Sequence, residues 1–242
     1  MAYSALPKKG RVVLISGANR GIGRAIAERL YSEGYTLSLG ARQPASLKAV
    51  TAKMVASRVF AHSYDAMKKG SAEAWVAATA KRFGRIDALV NNAGTGTAFT
   101  VEDKDESALD EMWTVNTKGP LRLIRAAFGL LKKSGSGRVV NIVSLSGKRV
   151  YGDALTGYAM SKHATLALTH AVRYSGWEHG IRSTAICPGF VATDMTADVT
   201  AISQDKMIEP GAIAALVATV LSLPNNNSVT EIPINCRLEH SY

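Results

Sequence analysis

RVVLISGANRGIG, residues 11–23, joins a run of apolar residues to a loop with three glycines, and the residues after it repeat apolar side chains at helical spacing. A strand that enters a helix through such a turn is the opening of a βαβ unit. Each glycine then has a physical task. Gly17 permits the tight turn, Gly21 lets backbone approach a pyrophosphate, and Gly23 lets helix and strand pack closely. The loop Gly17-Ala18-Asn19-Arg20-Gly21-Ile22-Gly23 would present the N-terminus of the following helix to phosphate groups.

The same rhythm runs outward from that stretch. Strand candidates fall at 11–16, 36–41, 59–62, 88–91, 138–143 and 182–187, most of them continuously apolar, as strands covered on both faces should be. Helix candidates lie near 21–33, 45–56, 70–83, 106–132 and 156–178, with another at 211–223. The pattern predicts an α/β fold with one doubly wound parallel sheet. No stretch is rich enough in Pro, Gly and Ser to link two domains, and no internal repeat is present, so residues 1–242 read as a single domain. Within it, 194–210 are expected to form a substrate lid and 229–242 a C-terminal tail that extends the sheet.

Composition excludes several classes. Apolar residues make up 47% and charged residues 20%, the balance of a globular protein with a core. The formal net charge is +10, yet the cations are scattered in pairs such as Lys8-Lys9 and Lys132-Lys133 without a basic stripe, which argues against nucleic acid. Cys187 and Cys236 have neither metal-ligand nor disulfide-scaffold spacing, so no metal is expected, and Cys187 reads as a buried thiol. The first ten residues carry no signal-like apolar run and no later segment is apolar enough to span a membrane. A cytoplasmic protein without membrane contact is the expectation.

The glycine spacing G-x-x-x-G-x-G resembles the nucleotide loop of the short-chain dehydrogenase/reductase family, in its compact single-domain branch, and further motifs follow in that family's order. Asn91-Asn92-Ala93-Gly94 is similar to its NNAG segment, Tyr158 and Lys162 to its Tyr-x-x-x-Lys pair, and Pro188-Gly189-Phe190-Val191-Ala192-Thr193 to its P-G-x-x-x-T segment. These blocks cover residues 11–195. The resemblance implies a Rossmann-type sheet and hydride transfer between a nicotinamide cofactor and a substrate carbonyl or alcohol. It assigns Asn92, Ala93 and Gly94 to the adenosine ribose, Pro188, Gly189, Val191 and Thr193 to the nicotinamide end, and Asp65 to the adenine amine; Asp65 could equally cap a helix.

Two further choices rest on local chemistry. In a dinucleotide fold the end of the second strand meets the ribose, and there the chain offers Arg42 and no acid. Arg42, with Arg20 from the glycine loop, could hold a 2′-phosphate, which favours NADP(H) over NAD(H); both could also be ordinary solvated arginines. Tyr158 and Lys162 stand one helical turn apart, so an ammonium would lie near the phenol and lower its proton affinity. Both residues also belong to the expected cofactor-binding set. By resemblance Ser144 would bind the substrate oxygen, with Ser146 a competitor, and Asn116 would hold a water that links Lys162 to solvent. Asn116 could instead be a helix-breaking polar residue near Gly119-Pro120.

Substrate contacts are expected from 95–100, 148–156 and the lid, whose Lys148 and Arg149 suggest a smallish polar or anionic carbonyl compound. Reduction of 3-oxoacyl groups on a carrier protein is a second substrate class, and a catalytically silent NADP(H) sensor or scaffold is the rival of a different kind. The tail lacks the family's usual Asp-Gly-Gly stretch. A homodimer through 106–132 and 156–178 therefore stands beside a homotetramer.

Overall fold

The structure is a computed structural model that describes residues 4–238. The expected tail extends to residue 242, and 239–242 lie outside the described residues. Strands β1 (Val12–Ser16), β2 (Thr36–Ala41), β3 (Val59–Ser63), β4 (Ala88–Asn91), β5 (Arg138–Ile142), β6 (Arg182–Pro188) and β7 (Glu231–Ile234) form one sheet in the order β3-β2-β1-β4-β5-β6-β7. Every pairing is parallel. The order reverses direction between β1 and β4, which opens a crevice beyond the carboxyl ends of these strands.

Helices α1 (Gly21–Ser32), α2 (Lys48–Thr51), α3 (Ser71–Phe83), α4 (Ser107–Met112), α5 (Gly119–Lys133), α6 (Thr156–Gly176) and α7 (Pro210–Ser222) cover both faces. The alternation within β1 shows how the two layers are divided. Val13 and Ile15 pack with Ile26 and Leu30 of α1 and Ile213 and Val217 of α7, while Val12 and Leu14 pack with Trp75 of α3, Leu123 of α5 and Val172 of α6. Because both sets are buried, β1 reads as continuously apolar.

Two expectations change in detail. The helix near 45–56 shrinks to a 3-10 turn, Pro44–Leu47, and the single turn α2, in which only Leu47 and Val50 are buried. The long helix near 106–132 widens into a π-helical segment, Trp113–Lys118, between α4 and α5. The tail does add a parallel strand, β7, to β6. Residues 193–207 leave the sheet as an excursion with two short 3-10 turns, Asp194–Thr196 and Gln204–Lys206. Its base is tied by Ile208 N–H donating to Phe190 O and Ala192 N–H donating to Ile208 O, each at 2.9 Å. Among the described residues no helix is long and apolar enough to cross a membrane.

Candidate active site

The glycine loop is held by its neighbour strand. Asn92 Nδ2 donates to Ser16 O at 3.0 Å and Gly17 O at 3.1 Å, and Ser16 Oγ accepts the N–H groups of Asn92 and Ala93, both at 3.0 Å. Gly17 and Gly21 have φ of +64° and +52°, the left-handed region that a Cβ disfavours. A Cβ on Gly23 would run into Gly17 O and Asn92 Nδ2, so this glycine lets the loop fold on itself and on Asn92 rather than on the strand alone. Helix α1 begins at Gly21 with no side-chain cap and no acid in its first turn, which leaves its N–H groups directed at the loop. Asn19 and Ile22 are half-buried in the same cradle.

The two arginines have different surroundings. Arg42 is exposed immediately after β2, and its carbonyl accepts from Ser63 Oγ at 3.2 Å. Arg20 instead pairs with Asp194 at 3.2 Å, across from the glycine loop to the excursion after β6. Asp65 is not the cap of α3, whose N-cap is Gly70; its carboxylate accepts the Met67 N–H at 3.0 Å and closes the turn before the helix.

Beyond the ends of β4, β5 and β6 the remaining residues gather. Ser144 sits at the start of the 3-10 turn Leu145–Gly147, and its side chain lies near enough to the Tyr158 phenol to favour the ionised form. Ser146 contributes its backbone N–H, which donates to Ser144 Oγ at 3.0 Å. A Cβ on Gly147 would press into Val143 Cγ1 at 2.6 Å and Lys162 O at 2.9 Å, so the Ser-x-x-Gly spacing is what lets this turn seat on α6. On α6 the buried Lys162 Nζ lies 5.5 Å from the Tyr158 ring centroid and donates to Ile142 O at 3.0 Å.

Burial governs the protonation of both groups. It pulls Lys162 down to about 8 and pushes Tyr158 up to about 12, the Ser144 hydrogen bond acting against the latter shift. The lowering of Tyr158 expected from Lys162 does not appear: desolvation raises the phenol, and the opposing influence comes from Ser144. Asn116 is buried in the π segment. Its amide is fixed by Thr95 N–H and Thr95 O, both at 2.9 Å, and by Ser161 Oγ at 3.0 Å. The chain widens around it without breaking, a local form that often marks functional sites.

Pro188 ends β6, Gly189 N–H donates to Ile234 O at 2.8 Å, and the buried Val191 gives its carbonyl to Thr196 Oγ1 at 2.6 Å. Thr193 caps the Asp194–Thr196 turn reciprocally with Thr196, and its methyl faces Gly21, where a Cβ would approach to 3.2 Å. The loop after β6 thus lies on the glycine loop.

Sequence reasoning missed several supporting residues. Ser16 organises the cradle, Gly96 lies flat against the Tyr158 ring, where a Cβ would come within 3.3 Å, and Ser161 joins Asn116 to the Tyr158 carbonyl. Cys187 accepts the Ser144 backbone N–H, and burial raises its thiol to about 11. No spacing signal marks them, because their partners lie far along the chain.

A glycine cradle after β1, with a Ser-Tyr-Lys cluster beyond β5 and on α6, defines a class of oxidoreductase on a Rossmann-type sheet. The chain belongs to the short chain dehydrogenases, whose family model matches residues 11–204. Agropine synthesis reductase of Rhizobium rhizogenes is 43% identical over 229 residues, 94% of this chain and 53% of that protein; the chain thus spans about half the length of this relative. Levodione reductase of Leifsonia aquatica is 38% identical over 192 residues, 76% of this chain and 71% of that enzyme. The alcohol dehydrogenase from the archaeon Thermococcus sibiricus, solved in complex with 5-hydroxy-NADP, superposes with a TM-score of 0.86 at 31% identity, over 95% of this chain and 99% of that one.

Proposed function

We propose that the protein is an NADP(H)-dependent oxidoreductase that interconverts a small carbonyl compound and its alcohol, with Tyr158 as the proton-transferring residue. The observation that carries this reading is the gathering of Ser144, Tyr158 and Lys162, with the buried Lys162 Nζ 5.5 Å from the Tyr158 ring centroid and the Ser144 side chain acting on the phenol. The cradle fits a dinucleotide: a Cβ at Gly21 or Gly23 would fill it, and the uncapped start of α1 offers N–H donors to a pyrophosphate. Arg42, beside a strand end without an acid, suits a 2′-phosphate and favours NADP(H) over NAD(H), in keeping with the bound ligand of the archaeal dehydrogenase. Arg20, engaged with Asp194, contributes less to that choice.

The cofactor supplies or accepts the hydride. Tyr158, protonated throughout the neutral range, gives its proton to the developing alkoxide, and Ser144 donates a hydrogen bond to the same oxygen. Lys162 stabilises the phenolate left behind, and Asn116 fixes Thr95 and Ser161 around the pair. Asn92, Ala93 and Gly94 would line the adenosine ribose, and Val191 and Thr193 the nicotinamide end. We further propose one domain with 194–210 as its lid, and a homodimer built on α5 and α6.

The test follows NADPH consumption across small ketones and aldehydes, including carbonyl precursors from agropine synthesis and levodione. Turnover is expected, with NADH used less well. Tyr158→Phe should lose at least about 100-fold in rate while NADPH binding, read by fluorescence, persists. Ordinary activity in Tyr158→Phe would overturn the assignment.

A further inference from the structure

Three loops meet beyond Ser144. Gly189 lies between the tail and the Ser144 turn, since a Cβ there would collide with Asn235 Oδ1 and would lie 3.4 Å from Cδ1 of Leu145, the residue after Ser144. From that tail the Arg237 guanidinium stands 5.1 Å over the Phe190 ring and 6.0 Å over the Tyr151 ring. Arg149 lies 5.2 Å over the same Tyr151 ring.

The other cations near this mouth are already engaged. Lys148 pairs with Glu231 at 2.5 Å, Glu231 also takes His170 at 2.8 Å, and Arg20 pairs with Asp194. Among the described residues no carboxylate pairs with Arg237, whose contacts are the faces of two aromatic rings. A guanidinium held near ring faces keeps its N–H donors for an anion, and its fork matches a carboxylate in a bidentate pair.

Resting on the reductase reading above, we propose that Arg237 is the specificity-determining residue of the site and that the preferred substrates carry a carboxylate besides the reacting carbonyl. The carboxylate is held at the Arg237 edge while the carbonyl reaches Ser144 and Tyr158. Ring contacts from Phe190 and Tyr151 orient the arginine.

The experiment compares oxo acids of increasing length with their methyl esters. The wild type should favour the acid of the fitting length over its ester by about tenfold or more in kcat/KM, and Arg237→Gln should erase about tenfold of that ratio. Arg237→Lys, which keeps charge but not the fork, should fall between. An unchanged acid-to-ester ratio in Arg237→Gln, or a wild type that prefers esters, overturns the proposal. If no carbonyl is turned over, the reductase reading fails. Calorimetric binding of the same oxo acids then decides for Arg237: a tenfold weaker binding in Arg237→Gln supports it, and equal binding overturns it.

Discussion

Lys162 shows how much one residue's environment decides. Its ammonium is buried and its one hydrogen-bonded carbonyl, Ile142 O, is neutral, so the folded chain holds its proton less tightly than the unfolded one, with a value of about 8 against an ordinary 10.5. Between those values the unfolded chain keeps a proton that the folded chain has released, and stability rises with pH; below about 8 the full cost of the buried charge is present. Tyr158 acts oppositely, since a value raised to about 12 means stability is lost as pH climbs above 10. Lys162→Met should therefore melt higher than the wild type below pH 8, with the gap closing toward pH 10.5. Thermal melts at several pH values check this, and a gap independent of pH would contradict it.

Among the elements, the π segment Trp113–Lys118 positions the most while being the least expected. A π turn carries one residue more than the α-helical turn it replaces, and here Gly119 N–H reaches back to Thr114 O. The extra residue turns Asn116 toward Thr95 and Ser161, while Thr117 Oγ1 bonds Ser161 O at 3.1 Å. Deleting Thr114 would restore α geometry with the flanking helices in phase and remove the wide turn that points Asn116 at Thr95 and Ser161. Far-UV dichroism should stay helical while turnover drops about 100-fold or more, a loss on the scale of removing an acid-base group. Retained activity would show that the segment does not set Asn116. The apolar and polar spacing of 106–132 is compatible with an unbroken helix, and only the partners from the β4 loop and α6 select the wider form.

On the scale of the molecule, α5 and α6 together present a groove of about 220 Å³ lined by Leu121, Ile124, Phe128 and Leu168. A homodimer through these helices would cover it. Phe128→Glu should then shift the protein from dimer to monomer in light scattering, since a charge in an apolar interface is left unpaired. A monomeric wild type would remove this assembly. The tail enters at the same scale: β7 extends the sheet and, through Glu231, ties the Ser144 loop to α6 by way of Lys148 and His170.

The sequence by itself determined the order of strands and helices along the chain, the glycine-rich loop and the one-turn spacing of Tyr158 and Lys162, because periodicity and spacing are local properties; Ser144 was marked by family resemblance and by no local pattern. Tertiary structure alone decided that α2 is a single turn, that Asn116 sits in a π segment, that Arg20 engages Asp194, and that burial raises Tyr158. Those outcomes depend on desolvation and on contacts between residues as far apart as Arg20 and Asp194, which no local pattern records.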